Sequence, residues 1–115
     1  MNSLDSNESS IKRTIVNRLY YAAFLHAREW LIVKADYESK GAGDYFHIPE
    51  FIINQTSFPP NVRINIKARL ISLKNNRHYC DYNLNNDFYN YLPDRYKFSL
   101  EDLFDFSDYI LRTLK

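Results

Sequence analysis

Arg69-Leu70-Ile71-Ser72-Leu73-Lys74-Asn75-Asn76-Arg77-His78-Tyr79-Cys80-Asp81-Tyr82 decides how this chain is read. Residues three and four apart are neighbours on a helix, so a helical reading aligns Leu70, Leu73, Arg77, Asp81 and Leu84 along one side. A cation and a carboxylate then share an otherwise apolar face, where charges belong only if they are paired or used. Upstream, Val62, Ile64, Ile66, Ala68 and Leu70 alternate with polar residues, as in a strand. No comparable strand is available to pair with it, and a lone strand leaves its backbone groups unsatisfied. Lys67-Ala68-Arg69-Leu70 also favours helix. The spacing therefore predicts one helix from about Val62 to Leu84.

Toward the N-terminus, Ile11, Ile15, Leu19, Ala22, Ala23, His26, Trp30 and Val33 recur at helical spacing. Asp5-Ser6-Asn7-Glu8 resembles a capping box, with Ser9 or Ser10 as alternative caps. A helix from there to about Ser39 would be ~45 Å long at a rise of 1.5 Å per residue, and would form the spine of a small bundle. Arg18 stands in the line Ile11, Ile15, Arg18, Ala22, Leu25, where a long side chain can pack its stem and keep its head in water. Lys40-Gly41-Ala42-Gly43-Asp44 holds both glycines and reads as a helix stop and loop. His47 to Gln55 reads as a short helix with Pro49 in its first turn. Phe58-Pro59-Pro60-Asn61 ends that helix, and Asn61 would cap the next.

Asn83 to Lys97 has no clean period and reads as a loop with a turn of helix near Phe88 to Leu92. Ser99 followed by Asp102 is a second capping signature. It opens a final helix from Leu100 to about Leu114, with Leu103, Phe104, Phe106, Ile110, Leu111 and Leu114 facing inward. The expected fold is all-α, an up-and-down bundle of four to five helices forming a single domain over residues 1–115.

Composition agrees. Hydrophobic residues make up 45% of the 115, while only two glycines and four prolines are present, which suits helices better than a turn-rich β fold. The net charge of +1 hides an asymmetry. Arg63, Lys67, Arg69, Lys74 and Arg77 lie between Asn61 and Cys80 with no acid among them, whereas Asp81 to Lys115 carries more acids than bases. A basic helix suits phosphate binding, and it equally suits a solvated face balanced by an acidic neighbour. Cys80 is the single cysteine, so no intramolecular disulfide can form, which fits a cytoplasmic protein. It reads as a small packed residue rather than a reactive thiol. No apolar run approaches the ~20 residues that span a bilayer, and Met1 to Ser10 lacks the pattern of a signal or transit peptide, so no membrane association is expected. The three histidines are dispersed and no glycine-rich phosphate loop exists, so neither a metal nor another cofactor is expected.

Two sequence words carry a family resemblance. One is Arg18-Leu19-Tyr20-Tyr21-Ala22-Ala23-Phe24, continued by Ala27-Arg28-Glu29-Trp30-Leu31. The other is Arg77-His78-Tyr79-Cys80-Asp81-Tyr82, an arginine, two residues, a small residue, then Asp-Tyr. In this order and at this separation the chain resembles the HEPN family, in the branch with a Tyr-Tyr-Ala-Ala-Phe first helix. The resemblance implies a helical bundle that dimerises through the motif helices and gathers their polar residues near the dimer interface. It also implies a metal-independent RNase of a prokaryotic toxin–antitoxin or phage-defence module, or a non-catalytic module docking a partner such as a minimal nucleotidyltransferase. Active members carry an arginine followed by a histidine after four to six residues. None of His26, His47 and His78 has an arginine at that distance upstream.

Metal-free RNA cleavage needs a base, an acid and a cation at the phosphate. On this reading Arg77 supplies the cation and His78 the proton transfer, although adjacent residues diverge by about 100° on a helix. Arg18, Tyr21, Asp81 and Tyr82 would complete a polar cluster at the RNA, with Lys67, Arg69 and Lys74 holding phosphates. The competing account pairs Arg77 with Asp81 or with groups on the first helix, as a packing device. Tyr20, Tyr21, Phe24 and Trp30 can stack on bases, but aromatics at helical spacing also serve as core.

Overall fold

Val16, Tyr20, Ala23, Phe24, Ala27 and Leu31 fall on one side of a helix, and this is the stripe that α1 (Ser3–Ala35) buries. The structure, a computed structural model, describes residues 3–82 and 98–115, with side chains for 10–78 and 98–115. The buried stripe is rotated from the expected one. Ile11, Ala22 and Val33 face solvent, and Leu19, His26 and Trp30 lie at its border. α1 carries two apolar stripes, and the one with the larger rings and aliphatics, Tyr20, Phe24 and Leu31, faces the bundle. The helix already includes Ser3, so Asp5 to Glu8 lie inside it rather than at its cap. It stops before the expected Ser39 because Asp36 turns left-handed at φ 56°, a conformation that Asp tolerates better than most residues. The Tyr37 N–H then reaches back to the Leu31 carbonyl at 3.1 Å.

A 3-10 turn at Gly41–Gly43 leads into α2 (Asp44–Ile53). Gly41 takes φ +64°, where a side chain would be strained. Because α2 starts at Asp44, Pro49 sits in its interior, where it is buried and leaves the Tyr45 carbonyl without its usual intrahelical donor. α3 (Pro60–Tyr82) resolves the strand-or-helix ambiguity in favour of helix. It opens on Pro60, whose fixed φ and missing N–H suit a first helical position, so Asn61 lies inside the helix instead of capping it. The expected end at Leu84 and the expected turn at Phe88 to Leu92 lie outside the described residues.

α4 (Leu100–Thr113) begins as expected. The Ser99 hydroxyl accepts from the Asp102 N–H at 3.1 Å, and the Asp102 carboxylate accepts from the Ser99 N–H at 3.2 Å. A Ser99→Ala variant should lose about 1 kcal/mol of stability in a urea titration, the usual cost of deleting an N-cap. Leu103, Ser107, Ile110 and Leu114 form the buried edge of this element. Phe104, expected inward, is 58% exposed because it stands one residue, about 100°, round the helix from Leu103.

The fold is an all-α bundle. α3 runs antiparallel to α1, with Arg77 beside Asn17 and Tyr21 at one end and Phe58, just before α3, against Trp30 at the other. α4 runs parallel to α1: the Ser107 hydroxyl donates to the Leu19 carbonyl at 3.0 Å, and the His26 ring nitrogen meets the Leu114 carbonyl. The Trp30 indole donates to the Lys115 carbonyl at 3.0 Å, so two rings of α1 meet carbonyls just past the end of α4. α2 lies along α3, tied by Lys67 to Glu50 at 2.9 Å and by Arg63 to the Ile53 carbonyl at 3.0 Å. No described helix is long and apolar enough to cross a membrane.

Candidate functional site

On α3, Leu70, Leu73 and Asn76 turn into the bundle. Arg77, next on the same side, comes out half-buried against α1. Its Nε–H donates to the Asn17 carboxamide at 3.1 Å. Its guanidinium lies 4.9 Å from the Tyr21 ring centroid and 5.8 Å from that of Tyr20. A planar cation stacked on ring faces and held through its Nε–H has its orientation set by the protein.

The rings continue inward. Tyr45 of α2 stacks on Phe24 at 4.7 Å and on Tyr20 at 6.2 Å, while Tyr20 stacks on Phe24 at 5.7 Å. Arg28 lies 5.8 Å from the Phe24 ring on the other side. A column of cation, rings and cation thus links α1, α2 and α3. Burial pushes the Tyr20 hydroxyl pKa up, with Tyr45 adding to it and Arg77 opposing. The hydrogen bond with Tyr21, then burial, pushes Tyr45 up as well. Both phenols therefore stay protonated around neutral pH and are available as hydrogen-bond donors or acceptors, not as bases.

The column ends at a carboxylate that the sequence reading missed. Asp44 is fully buried. It accepts from the Tyr37 hydroxyl at 2.5 Å, the Ser39 hydroxyl at 2.6 Å and the Lys40 N–H at 2.6 Å, with Arg28 at 3.9 Å. Burial alone would raise its pKa, but the hydrogen bonds from Ser39, Tyr37 and Lys40, with Arg28, outweigh it and hold the carboxyl below its ordinary value. Burial, then the hydrogen bond to Asp44, pushes the Tyr37 hydroxyl up. The signal of Asp44 in sequence was faint: an acid closing a glycine loop, with the hydroxyl-bearing Tyr37 and Ser39 a few residues upstream.

Of the residues singled out from sequence, Arg77 and Tyr21 come together. Arg18 is exposed and has no ion pair among the described residues. His78 is exposed, unlike the half-buried Arg77 beside it. The side chains of Cys80, Asp81 and Tyr82 lie outside the described residues. The expected phosphate row is largely engaged internally. Lys67 pairs with Glu50, and Arg69 stacks on Tyr109 at 4.3 Å and Phe106 at 5.5 Å, aromatics of the acidic helix rather than its carboxylates. Lys74 is half-buried. Among the described residues no three metal-ligating side chains converge. A guanidinium stacked and oriented in this way, with phenols beside it, has the chemistry to bind an anion. Comparison with family models, with curated proteins and with solved structures found no match.

Proposed function

We propose that this chain is a HEPN-like RNA-binding protein of a prokaryotic toxin–antitoxin or phage-defence module, holding RNA phosphate at Arg77 beside Tyr21. The seating of Arg77 carries this reading: a guanidinium oriented by Asn17 and backed by the buried Tyr20 ring is placed to hold a phosphate, and the half-buried Tyr21 beside it is an aromatic surface of the kind on which bases stack. The proposal is for binding. Strand cleavage is decided by the test, because His78 and Arg77 do not share a bearing on α3. The test is fluorescence anisotropy with labelled single-stranded RNA in EDTA, followed by a denaturing gel. Saturable, salt-sensitive binding with intact RNA is expected. Shortened products would assign metal-independent cleavage as well, and the absence of binding would overturn the reading.

A second reading is favoured by one observation, the internal engagement of Lys67 and Arg69. On this account the bundle is a docking module for a partner such as a minimal nucleotidyltransferase, and Arg77 is part of its packing. It predicts no RNA binding and a stable complex with a co-encoded nucleotidyltransferase in gel filtration.

A further inference from the structure

Among the described residues two phenylalanine rings stand mostly in water, Phe46 at 66% and Phe104 at 58% exposed. Phe104 sits among acids on α4, with Glu101 one turn before it and Asp105 next to it, both exposed, a setting that repels phosphate. Phe46 has the opposite setting. It follows Tyr45 on α2, so the ring column at Arg77 and this exposed ring leave the helix at adjacent positions, about 100° apart.

The packing of α2 on α3 fixes what lies beside Phe46. Arg63 reaches the Ile53 carbonyl and, one turn on, Lys67 pairs with Glu50, so the two helices run antiparallel. The next turn along that edge sets Phe46 level with Ile71, and Lys74 follows ~4.5 Å further along the α3 axis. Glu50 neutralises Lys67, whereas the half-buried Lys74 has no ion pair among the described residues. Arg77 comes a further ~4.5 Å along, turned toward Tyr21. Two cations one turn apart therefore adjoin the exposed ring. That ring is also braced: the His47 ring meets it nearly perpendicular, with centroids 5.4 Å apart. His47 in turn lies against Gly43, where an added Cβ would stand 3.2 Å from its Cδ2. A perpendicular neighbour covers at most one face of Phe46, so the other is open to a flat ligand.

We infer that Phe46 is a base-stacking residue of the Arg77 site, and that the ligand there is a strand with unpaired bases. One base lies on Phe46 while the flanking phosphates meet Lys74 and Arg77. This rests on the proposed RNA function and adds a discrimination to it. Cations alone favour a duplex, whose charge is denser than that of a single strand. A ring on a convex helix surface cannot reach base faces that are stacked inside a duplex, so stacking on Phe46 reverses that preference.

Fluorescence anisotropy of the full chain tests this with three labelled probes: a single-stranded RNA, the same sequence paired in a duplex, and an abasic sugar-phosphate oligomer of equal length. The wild type is expected to bind the single strand more tightly than the duplex. Phe46→Ala should weaken single-strand binding about tenfold, the scale for losing one stacked base, and leave the abasic oligomer's affinity unchanged. Lys74→Ala should weaken both alike, because it holds phosphate. Phe46→Trp should keep the affinity, and its added indole fluorescence should be quenched by the single strand but not by the abasic oligomer. Helical circular dichroism and the urea midpoint of Phe46→Ala should match wild type, since the ring is exposed. A Phe46→Ala variant that binds the single strand like wild type overturns the inference and leaves the RNA function standing. Equal losses on the single strand and the abasic oligomer also overturn it, as does a wild type that prefers the duplex. A wild type that binds none of the three probes removes the RNA function and the stacking role together.

Discussion

Replacing Asp44 by asparagine is expected to lower the unfolding free energy by about 3 kcal/mol, the scale for breaking a buried, fully hydrogen-bonded charge. The carboxylate is completely enclosed and takes three short hydrogen bonds, one of them from the Lys40 backbone. Asparagine keeps one acceptor oxygen and turns an NH2 group toward hydroxyls and an N–H that were donating. The loss should be legible in a urea titration followed by circular dichroism. Tyr37→Phe, which removes one of the three donors, should cost less, about 1 kcal/mol.

The same carboxylate gives the protein an acid limb. Its pKa is held lower in the folded chain than in the unfolded one. Its stabilising contribution is therefore fully present above the ordinary Asp value of about 4 and is lost as pH falls through the lower folded value. The wild type should thus lose stability on acidification, and the gap between it and Asp44→Asn should narrow over that window. A gap that stays constant from neutral pH down to acid would show that the charge on Asp44 is not what stabilises the loop.

The fold was legible where the signal was local. The capping pair Ser99 and Asp102 is read within four residues, and α4 starts as it dictates. The strand-like alternation from Val62 to Leu70 yielded to helix because no partner strand existed, an argument about the whole chain that needs no coordinates. The facing of α1 was less legible. Two apolar stripes are present on it, and periodicity weights them equally. Which one is buried depends on what α2 and α3 bring: Tyr45 of α2 stacks on Tyr20 and Phe24, rings of the buried stripe. Asp44 was invisible for a related reason. An acid at the end of a glycine loop normally reads as a solvated surface charge, and the helix was expected to start only at His47. Its burial follows from the left-handed turn at Asp36, which swings Tyr37 inward to meet it. The basic run on α3 was legible as charge but not as contacts. Charge counts along a sequence do not reveal that Lys67 has Glu50 opposite, or that Arg69 covers Tyr109.

Arg77→Ala should weaken single-stranded RNA binding by about 10- to 100-fold, the range for losing one charge-assisted phosphate contact, while the chain stays folded. The hydrogen bond to Asn17 and the stacking on Tyr21 give Arg77 a packing role too, so a stability loss of about 1–2 kcal/mol is expected alongside. That is small against the total stability of a typical domain, so helical circular dichroism should persist. Arg77→Lys separates the two roles. Lysine keeps the charge but cannot lie flat on a ring while donating sideways to Asn17. If phosphate is the ligand, Arg77→Lys binds RNA more tightly than Arg77→Ala and retains the salt dependence that Arg77→Ala loses in part, although both variants are less stable than wild type. If Arg77 only packs α3 on α1, both substitutions lower the urea midpoint and neither moves the RNA affinity of the folded protein. Asn17→Ala completes the comparison: it leaves the guanidinium in place but releases its orientation, so RNA affinity should fall less than in Arg77→Ala.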